Sequence, residues 1–479
     1  MPATIELKYF NSFWLKKMKN VVNAVPVPPI GAELNYPNLP YIYQGVEADD
    51  WYIEEARIRG GYNNTSVDLG VKAFLAEEDA TQQTRISSLI YSGLFNSRTG
   101  VNNTNQFSVG KDITKSADPA NGSIQKLYAE DTNLIIFQQD KVSRALIDKD
   151  AIYSAEGNAT LTSSPAVIGQ IVAYAGKYGI SNNPESFAVY GYRKYFTDVK
   201  RNAVMRLSKD GMTEISSYGM HDFFRDELSN VSNTRMIGGW DMHTKNYILS
   251  IQQTSPLADE TTSPSYKTVV FDENVLGWSS FLTFRPNYMF SIGANFYSIK
   301  DGLSTDNAPD VVYRHYTNVN NASNLFCNFY GVTSDSSIDL VLNSNPSIVK
   351  TFKTLNYEGS NGWQLQTMKG LEFTLQDGVT TVNDSAYPIL PYTMPTTIGQ
   401  LETDLFSNEF KRKENKYFAN LVNNSVATQG EVLFGESMTG IKGFFSTIQM
   451  IIPSNTIVLN PGIKYSLFAV SSEISQSSY

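Results

Sequence analysis

The sequence predicts a mainly β protein: a β-propeller-like domain that carries an extended N-terminal arm and a small, sandwich-like C-terminal β domain. Three observations predict it. In residues 187–216, FAVYGYRKYFTDVKRNAVMRLSKDGMTEIS, apolar side chains recur at near-alternate positions, the period of a half-buried strand. Polar clusters at Asp198 to Asn202 and at Lys209, Asp210 and Gly211 interrupt the runs. Asp and Asn bond their own backbone and Gly tolerates positive φ, so these clusters read as hairpin turns and the stretch as strand, turn, strand, turn, strand. The plan then recurs in 125–148, in 239–252 with 267–284, and in 288–316. A spacing of roughly thirty to fifty residues suits a degenerate propeller, and one blade alone would not be stable. No WD40 or kelch signature is present.

In chain order, three parts are expected: a helix and proline-rich arm over 1–48, the propeller-like domain over 49–345, and the C-terminal domain over 346–479. Phe10, Trp14, Met18 and Val21 fall at helical spacing among four lysines, which predicts a short amphipathic helix within 1–25. There is no apolar run and no cleavage site, so the stretch does not read as a secretory signal. A membrane-surface helix looks partly similar, but the chain is acidic and a protein partner suits it better. Phe10, Trp14 and Met18 are therefore the candidate assembly residues.

Residues 25–43, VPVPPIGAELNYPNLPYIY, are extended, because proline fixes φ and forbids both helix and central strand. Free arms of this composition are usually disordered, so a partner is expected to hold this one, a second copy being the simplest. Deletion of 1–43 is expected to leave a folded chain that no longer assembles. Trp51, Ile53, Ala56 and Ile58 do not settle between strand and helix, Gly60 and Gly61 break either, and 92–106 reads as a long polar loop. Arg57, Arg59 and Arg98 with Asp49, Asp50, Glu54 and Glu55 read as solvated or interface charges, each exposed pair contributing less than about 1 kcal/mol. After the propeller region come short strands at 371–375, 379–382, 431–434, 447–452 and 465–470, a short helix over 411–422 and a loop over 394–404.

Composition sets the class of surface. The chain has 479 residues, 18% of them charged and 12% aromatic. That charge share is well below the usual figure of about 25%. Tyrosine, asparagine, serine and threonine make neutral, hydrogen-bonding contact surfaces. The net charge is −9, and Lys411-Arg412-Lys413 is followed at once by Glu414, so dedicated nucleic-acid binding is not expected as the main task. No stretch reads as a membrane span. Cys327 is the single cysteine, which rules out an intrachain disulfide and a cysteine-based zinc site; among LFCNFY it reads as a small buried residue. His221, His243 and His315 are far apart in sequence and read as ordinary polar side chains.

Enzymatic readings find little support. Ser208-Lys209-Asp210-Gly211-Met212-Thr213 approaches the Asp box of sialidase-type propellers but lacks one spacer and the tryptophan, so a hairpin turn explains it more simply. Glycoside hydrolysis needs two carboxylates flanking one bond, and none of the 47 acidic residues is marked as a pair. There is no nucleophile elbow, P-loop or HExxH. No catalytic, cofactor or metal residue is assigned.

Within 51–331, the segments WYIEEARIRGGYNN, SLIYSGLFNSRTG, QKLYAEDTNLIIFQQDKVSRALIDKDAIY, NPESFAVYGYRKYFTD and RNAVMRLSKDGMTEIS resemble virion structural proteins of tailed bacteriophages. Tail stabilisation or nozzle-type proteins of crAss-like phages are the nearest likeness, with virion proteins of cyanobacterial phages beside them. The likeness continues through 338–359 and GIKGFFS at 440–446. It implies a propeller-bearing tail, neck or baseplate subunit, made in the host cytoplasm, that forms a ring with its own copies and with other tail proteins. Two other classes stay open: a receptor- or glycan-binding tail component using Trp278, Tyr288, Tyr297 and Tyr316, and a polysaccharide depolymerase.

Overall fold

The structure, a computed structural model, describes residues 12–17, 51–58, 85–93, 95–105, 114–130, 133–153, 159–229, 234–253, 265–300, 311–317, 325–374, 381–393, 408–424 and 439–477. The proline-rich stretch 25–43, the expected loop 394–404 and the expected strand 431–434 lie outside them. The chain is mainly β, as many small antiparallel sheets, and none of these closes into a barrel or propeller among the described residues. It divides into two units, 1–238 with 276–278, and 239–275 with 279–479.

In the first unit, β1 (Ser12–Lys17) pairs antiparallel with β2 (Trp51–Ile58), from Lys17 opposite Trp51 to Ser12 opposite Ile58. This corrects the expected N-terminal helix at residues 12–17. A short isolated helix is marginal, whereas SFWLKK holds aromatic residues of high strand preference and gains a ladder partner in WYIEEARI. Next come β3 (Ser88–Ile90), β4 (Phe95–Asn96), β5 (Val101–Asn102) and β6 (Thr114–Ser116), with β3 paired to β6 and β4 to β5. The polar loop expected at 92–106 thus contains a minimal hairpin.

Two four-stranded meanders follow. The first holds β7 (Ile124–Glu130), β8 (Asn133–Gln138), β9 (Val142–Tyr153) and β10 (Ala159–Ala173) in sequential order. β8 pairs with β9 only as far as Leu146, and beyond it β9 and β10 run on together as a two-stranded ribbon to Tyr153 opposite Ala159. The second holds β11 (Ala188–Tyr190), β12 (Arg193–Asp198), β13 (Ala203–Ser208) and β14 (Gly211–Glu214), again sequential. It has four strands where the alternation predicts three, because Gly191 at φ 55 turns the chain inside the first expected strand. Asn202 at φ 54 and Gly211 at φ 112 sit in the two turns that were expected.

Strand alternation buries both faces of the first meander. Ile135, Phe137 and Val142 pack with Phe196, Met205 and Leu207 of the second meander. Leu134, Ile136 and Ala145 face the other way and pack with Leu89 of β3 and with Ile168. Polar side chains tie the connecting segments: Gln138 Nε2 donates to the carbonyls of Asp118 and Gly122 at 2.9 Å each. Asp198, fully buried, accepts from the Gly179 N–H and the Ser181 hydroxyl at 2.9 Å and from Arg201 at 3.0 Å. A Cβ on Gly179 would lie 2.2 Å from the Gln139 carbonyl oxygen, so this crossing admits only glycine. Helix α1 (His221–Ser229) buries Phe224 and Leu228.

The second sequence of sheets begins at β15 (Thr234–Asp241), through which the division into units runs, and continues with β16 (Asn246–Gln253), β17 (Tyr266–Asp272) and β18 (Gly277–Leu282) in sequential order. A three-stranded meander of β19 (Pro286–Ile292), β20 (Asn295–Lys300) and β21 (Val312–Arg314) comes next, then the short hairpin β22 (Asn328–Phe329) and β23 (Val332–Thr333).

The C-terminal region is woven differently. Its strands are β24 (Ser336–Leu342), β25 (Lys350–Phe352), β26 (Thr354–Gly359), β27 (Gln364–Thr374), β28 (Thr381–Ala386), β29 (Lys411–Lys413), β30 (Lys416–Asn420), β31 (Ile441–Gly443) and β32 (Ser446–Ile452). Helix α2 (Ser454–Leu459), β33 (Leu467–Ser471) and β34 (Ile474–Gln476) complete it. Three sheets, ordered β24-β32-β27-β28, β31-β25-β34 and β29-β30-β26-β33, enclose one core that includes Phe352, Tyr357, Trp363, Met368, Tyr417 and Met450. The helix expected over 411–422 is instead the β29–β30 hairpin. Glu414 and Asn415, at φ 49 and 62, take left-handed turn conformations that a helix would not allow, and Tyr417 and Ala419 alternate inward.

Candidate functional site

The three-stranded β19–β21 sheet is the place where the strand pattern departs most clearly from a solvent-facing surface. Alternation puts Met289, Phe296 and Ser298 on its buried face. The opposite face carries Tyr288, Phe290 and Ile292 from β19, Tyr297 and Ile299 from β20, and Val312 and Arg314 from β21. The register sets Tyr288 opposite Ile299 and Phe290 opposite Tyr297, with Ile299 opposite Val312 and Tyr297 opposite Arg314. Phe290 and Tyr297 stack at 5.5 Å with planes 13° apart, and Tyr288 lies 5.9 Å from Phe290. Tyr288, Ile292 and Val312 are 53, 64 and 53% exposed. A sheet with one face in water normally alternates apolar inward and polar outward. This one is apolar on both faces, and contiguous exposed apolar surface of that kind marks a binding site.

Beneath it lies a polar node. His315 Nε2 is 2.6 Å from the Ser298 hydroxyl, which is 2.7 Å from the Tyr330 hydroxyl. The rings of Phe284 and Phe296 lie 5.2 and 4.9 Å from the imidazole, and burial pushes its pKa down to about 4 against the weaker opposing pull of Asp241. Asp241, fully buried, accepts from the Tyr316 hydroxyl at 2.6 Å, the Thr244 hydroxyl at 2.8 Å and the His243 N–H at 2.8 Å. Burial and the Asp241 charge push the Tyr316 hydroxyl pKa upward, and His243 stacks on the Tyr316 ring at 4.3 Å. With these donors and the Thr244 N–H at 3.4 Å directed at it, this carboxylate closes the β15–β16 turn and has the bonding of a structural anchor.

Of the expected assembly residues, Phe10 and Met18 lie outside the described residues, and Trp14 is on β1 opposite Glu55. The aromatics considered for ligand contact divide. Tyr288 and Tyr297 stand on the exposed face, whereas Trp278 packs on Phe224 at 4.6 Å and donates its indole N–H to the Ile215 carbonyl. Tyr316 is committed to Asp241. Sequence reasoning did not reach Phe290, Ile292 and Val312, although the period-two pattern of YMFSI already puts Tyr288, Phe290 and Ile292 on one side. The Asp-box-like stretch is the β13–β14 turn, where the Ser208 hydroxyl bonds Asp210 and Lys209 lies 3.6 Å over the Tyr192 ring. Cys327 is half-buried against the C-terminal core. Among the described residues no acidic, histidine or cysteine group is arranged to hold a metal, and no helix is long and apolar enough to cross a membrane.

Residues 326–424 match the family model described as the Crassvirus muzzle protein C-terminal domain. No curated protein matches the chain. The matched stretch runs from just before β22 to just after β30 and therefore holds most of the strands of the woven C-terminal region. This similarity supports a phage structural role.

Proposed function

We propose that the chain is a non-catalytic structural subunit of a phage tail, neck or baseplate, of the nozzle or stabilisation type, and that its copies assemble as a ring. The observation that carries this reading is the match of 326–424 to a domain of the Crassvirus muzzle protein. Two features of the fold support it. The β3/β6 pair, the β7–β10 meander and the β11–β14 meander stack through both faces of the middle one, and a four-stranded and a three-stranded meander follow, a succession compatible with blades of a propeller. The outer face of β19–β21 exposes apolar side chains, surface of the kind that contacts a further body. In this reading residues 1–48 act as the arm, 49–345 as the propeller-like body and 346–479 as the C-terminal domain. Cyclic assembly then turns weak single contacts into a large total area.

The mechanism is passive: stiff, cross-packed sheets transmit load, and neighbouring copies share it. Light scattering of the purified chain, with mass spectrometry of intact virions, tests the reading. Several copies per particle and a ring-sized mass in solution are the expected results, and absence from particles with a monomeric mass at all concentrations overturns it. A glycan-binding tail component is the second reading, favoured by the Phe290–Tyr297 stack, since stacked aromatics also present flat faces to sugar rings. A sugar-binding screen with the whole chain separates the two.

A further inference from the structure

Resting on the ring reading, we infer that the outer face of β19–β21 is the seat for a second copy of this chain, which lays its proline-rich segment 25–43 across the aromatic ladder. Three observations point to that occupant. First, the face matches the segment in chemistry. Proline-rich segments dock on aromatic-lined surfaces because a polyproline helix has no internal hydrogen bonds and little conformational freedom left to lose. Segment 25–43 contains five prolines, and the face offers Tyr288, Phe290 and Tyr297 in neighbouring positions.

Second, the charges match. Glu33 is the only charged residue of the segment, and among the described residues Arg314 is the only charged one on the face, exposed beside Tyr297 in the register.

Third, paired strands flank the stretch that contains the segment. Lys17 pairs with Trp51, so the 33 residues between them leave from and return to one point of the β1–β2 ladder. Such a loop reaches out about 50 Å when each half is extended, enough to cross a neighbouring subunit face. An arm-to-face contact uses two different patches on each copy. It is therefore head-to-tail, the arrangement that closes into a ring when the rotation permits.

The test uses the full-length chain and a fluorescein-labelled peptide of residues 25–43, measured by fluorescence anisotropy at a dilution where the chain is monomeric. A Tyr288→Glu/Ile292→Glu variant is the comparison; both positions are exposed, and an unchanged melting temperature shows that it folds. The expected result is saturable peptide binding to the natural chain, weakened about tenfold or more in the variant, with the variant reading one-chain mass by light scattering at concentrations where the natural chain is a ring. If the natural chain forms rings, the variant forms them equally and neither binds peptide, the seat is wrong and the ring reading stands. A natural chain that stays monomeric and binds no peptide overturns both. Binding of an oligosaccharide in place of the peptide, lost in the variant, makes the face a sugar platform and overturns the seat.

Discussion

Burial holds His315 neutral, and this makes it a source of acid sensitivity. The unfolded chain takes up a proton near the ordinary histidine value of 6.5, whereas the folded chain does so only near 4. Acid therefore favours unfolding between those values: the contribution is fully present above about 6.5 and is lost as pH falls towards 4. Each tenfold change in proton affinity is worth roughly 1.4 kcal/mol, so the loss is at most about 3 kcal/mol. Urea unfolding of the natural chain and a His315→Gln variant between pH 4 and 7 reads it, and equal slopes for the two would refute the assignment. A second residue-scale expectation concerns Lys194, only 3% exposed, whose ammonium meets Glu130 at 2.6 Å and lies over the Tyr128 ring. Glu130→Ala leaves a buried cation without its counter-charge and is expected to cost about 3 kcal/mol. A Glu130→Leu/Lys194→Met pair should recover much of that loss in the same denaturant titration. Neither side chain was legible beforehand, because Lys194 follows an arginine in a stretch that reads as a hairpin, and the partners that meet its ammonium, Glu130 and Tyr128, stand on β7.

Hairpins were the most readable elements, since their signals are local. The turns at Asp198 to Asn202 and at Asp210-Gly211 fall where the Asp, Asn and Gly chemistry puts them. The extra turn at Gly191 was missed because Gly191 falls in phase with Phe187 and Val189 and reads as a further position of the same strand. KRKENKYFANLV misled for the opposite reason: its lysines and glutamate favour helix, and the long-range pairing of β30 with β26 outweighs that preference. Replacing Asn415 tests this, because its φ of 62 suits asparagine or glycine and not a β-branched residue. Asn415→Val is expected to lower stability by roughly 1–2 kcal/mol and Asn415→Gly to leave it near unchanged, as read by thermal unfolding. The β19–β21 face was half legible: alternation groups its side chains on one side, but which side meets the core depends on sheets elsewhere in the chain.

For the whole molecule, the stretch matching the muzzle family is not expected to fold by itself. β24 needs β32, β25 needs β31 and β34, and β26 needs β33, all beyond residue 424. A fragment 326–424 should show no cooperative melting by circular dichroism, whereas 326–479 should; a sharp transition in the shorter fragment would contradict the strand pairing. Replacing 25–43 by a Gly/Ser linker of equal length should preserve the melting temperature and abolish ring assembly, and rings of normal mass would count against the arm. Composition pointed to a contact-making protein at this scale. The interleaving of the C-terminal region lay out of reach, since no local signal joins strands more than a hundred residues apart.

That interleaving also sets a timetable. Each meander pairs strands next to one another in sequence, so it can form as soon as its last strand leaves the ribosome. Ser336, by contrast, finds its partner Ile452 only once the whole stretch between them has been made. Pairing at such separation is slow, because the intervening loop must close before any contact rewards it. The C-terminal body therefore matures after the meanders that precede it, and its unpaired strand edges make the chain most prone to aggregate in the interval before β32 arrives.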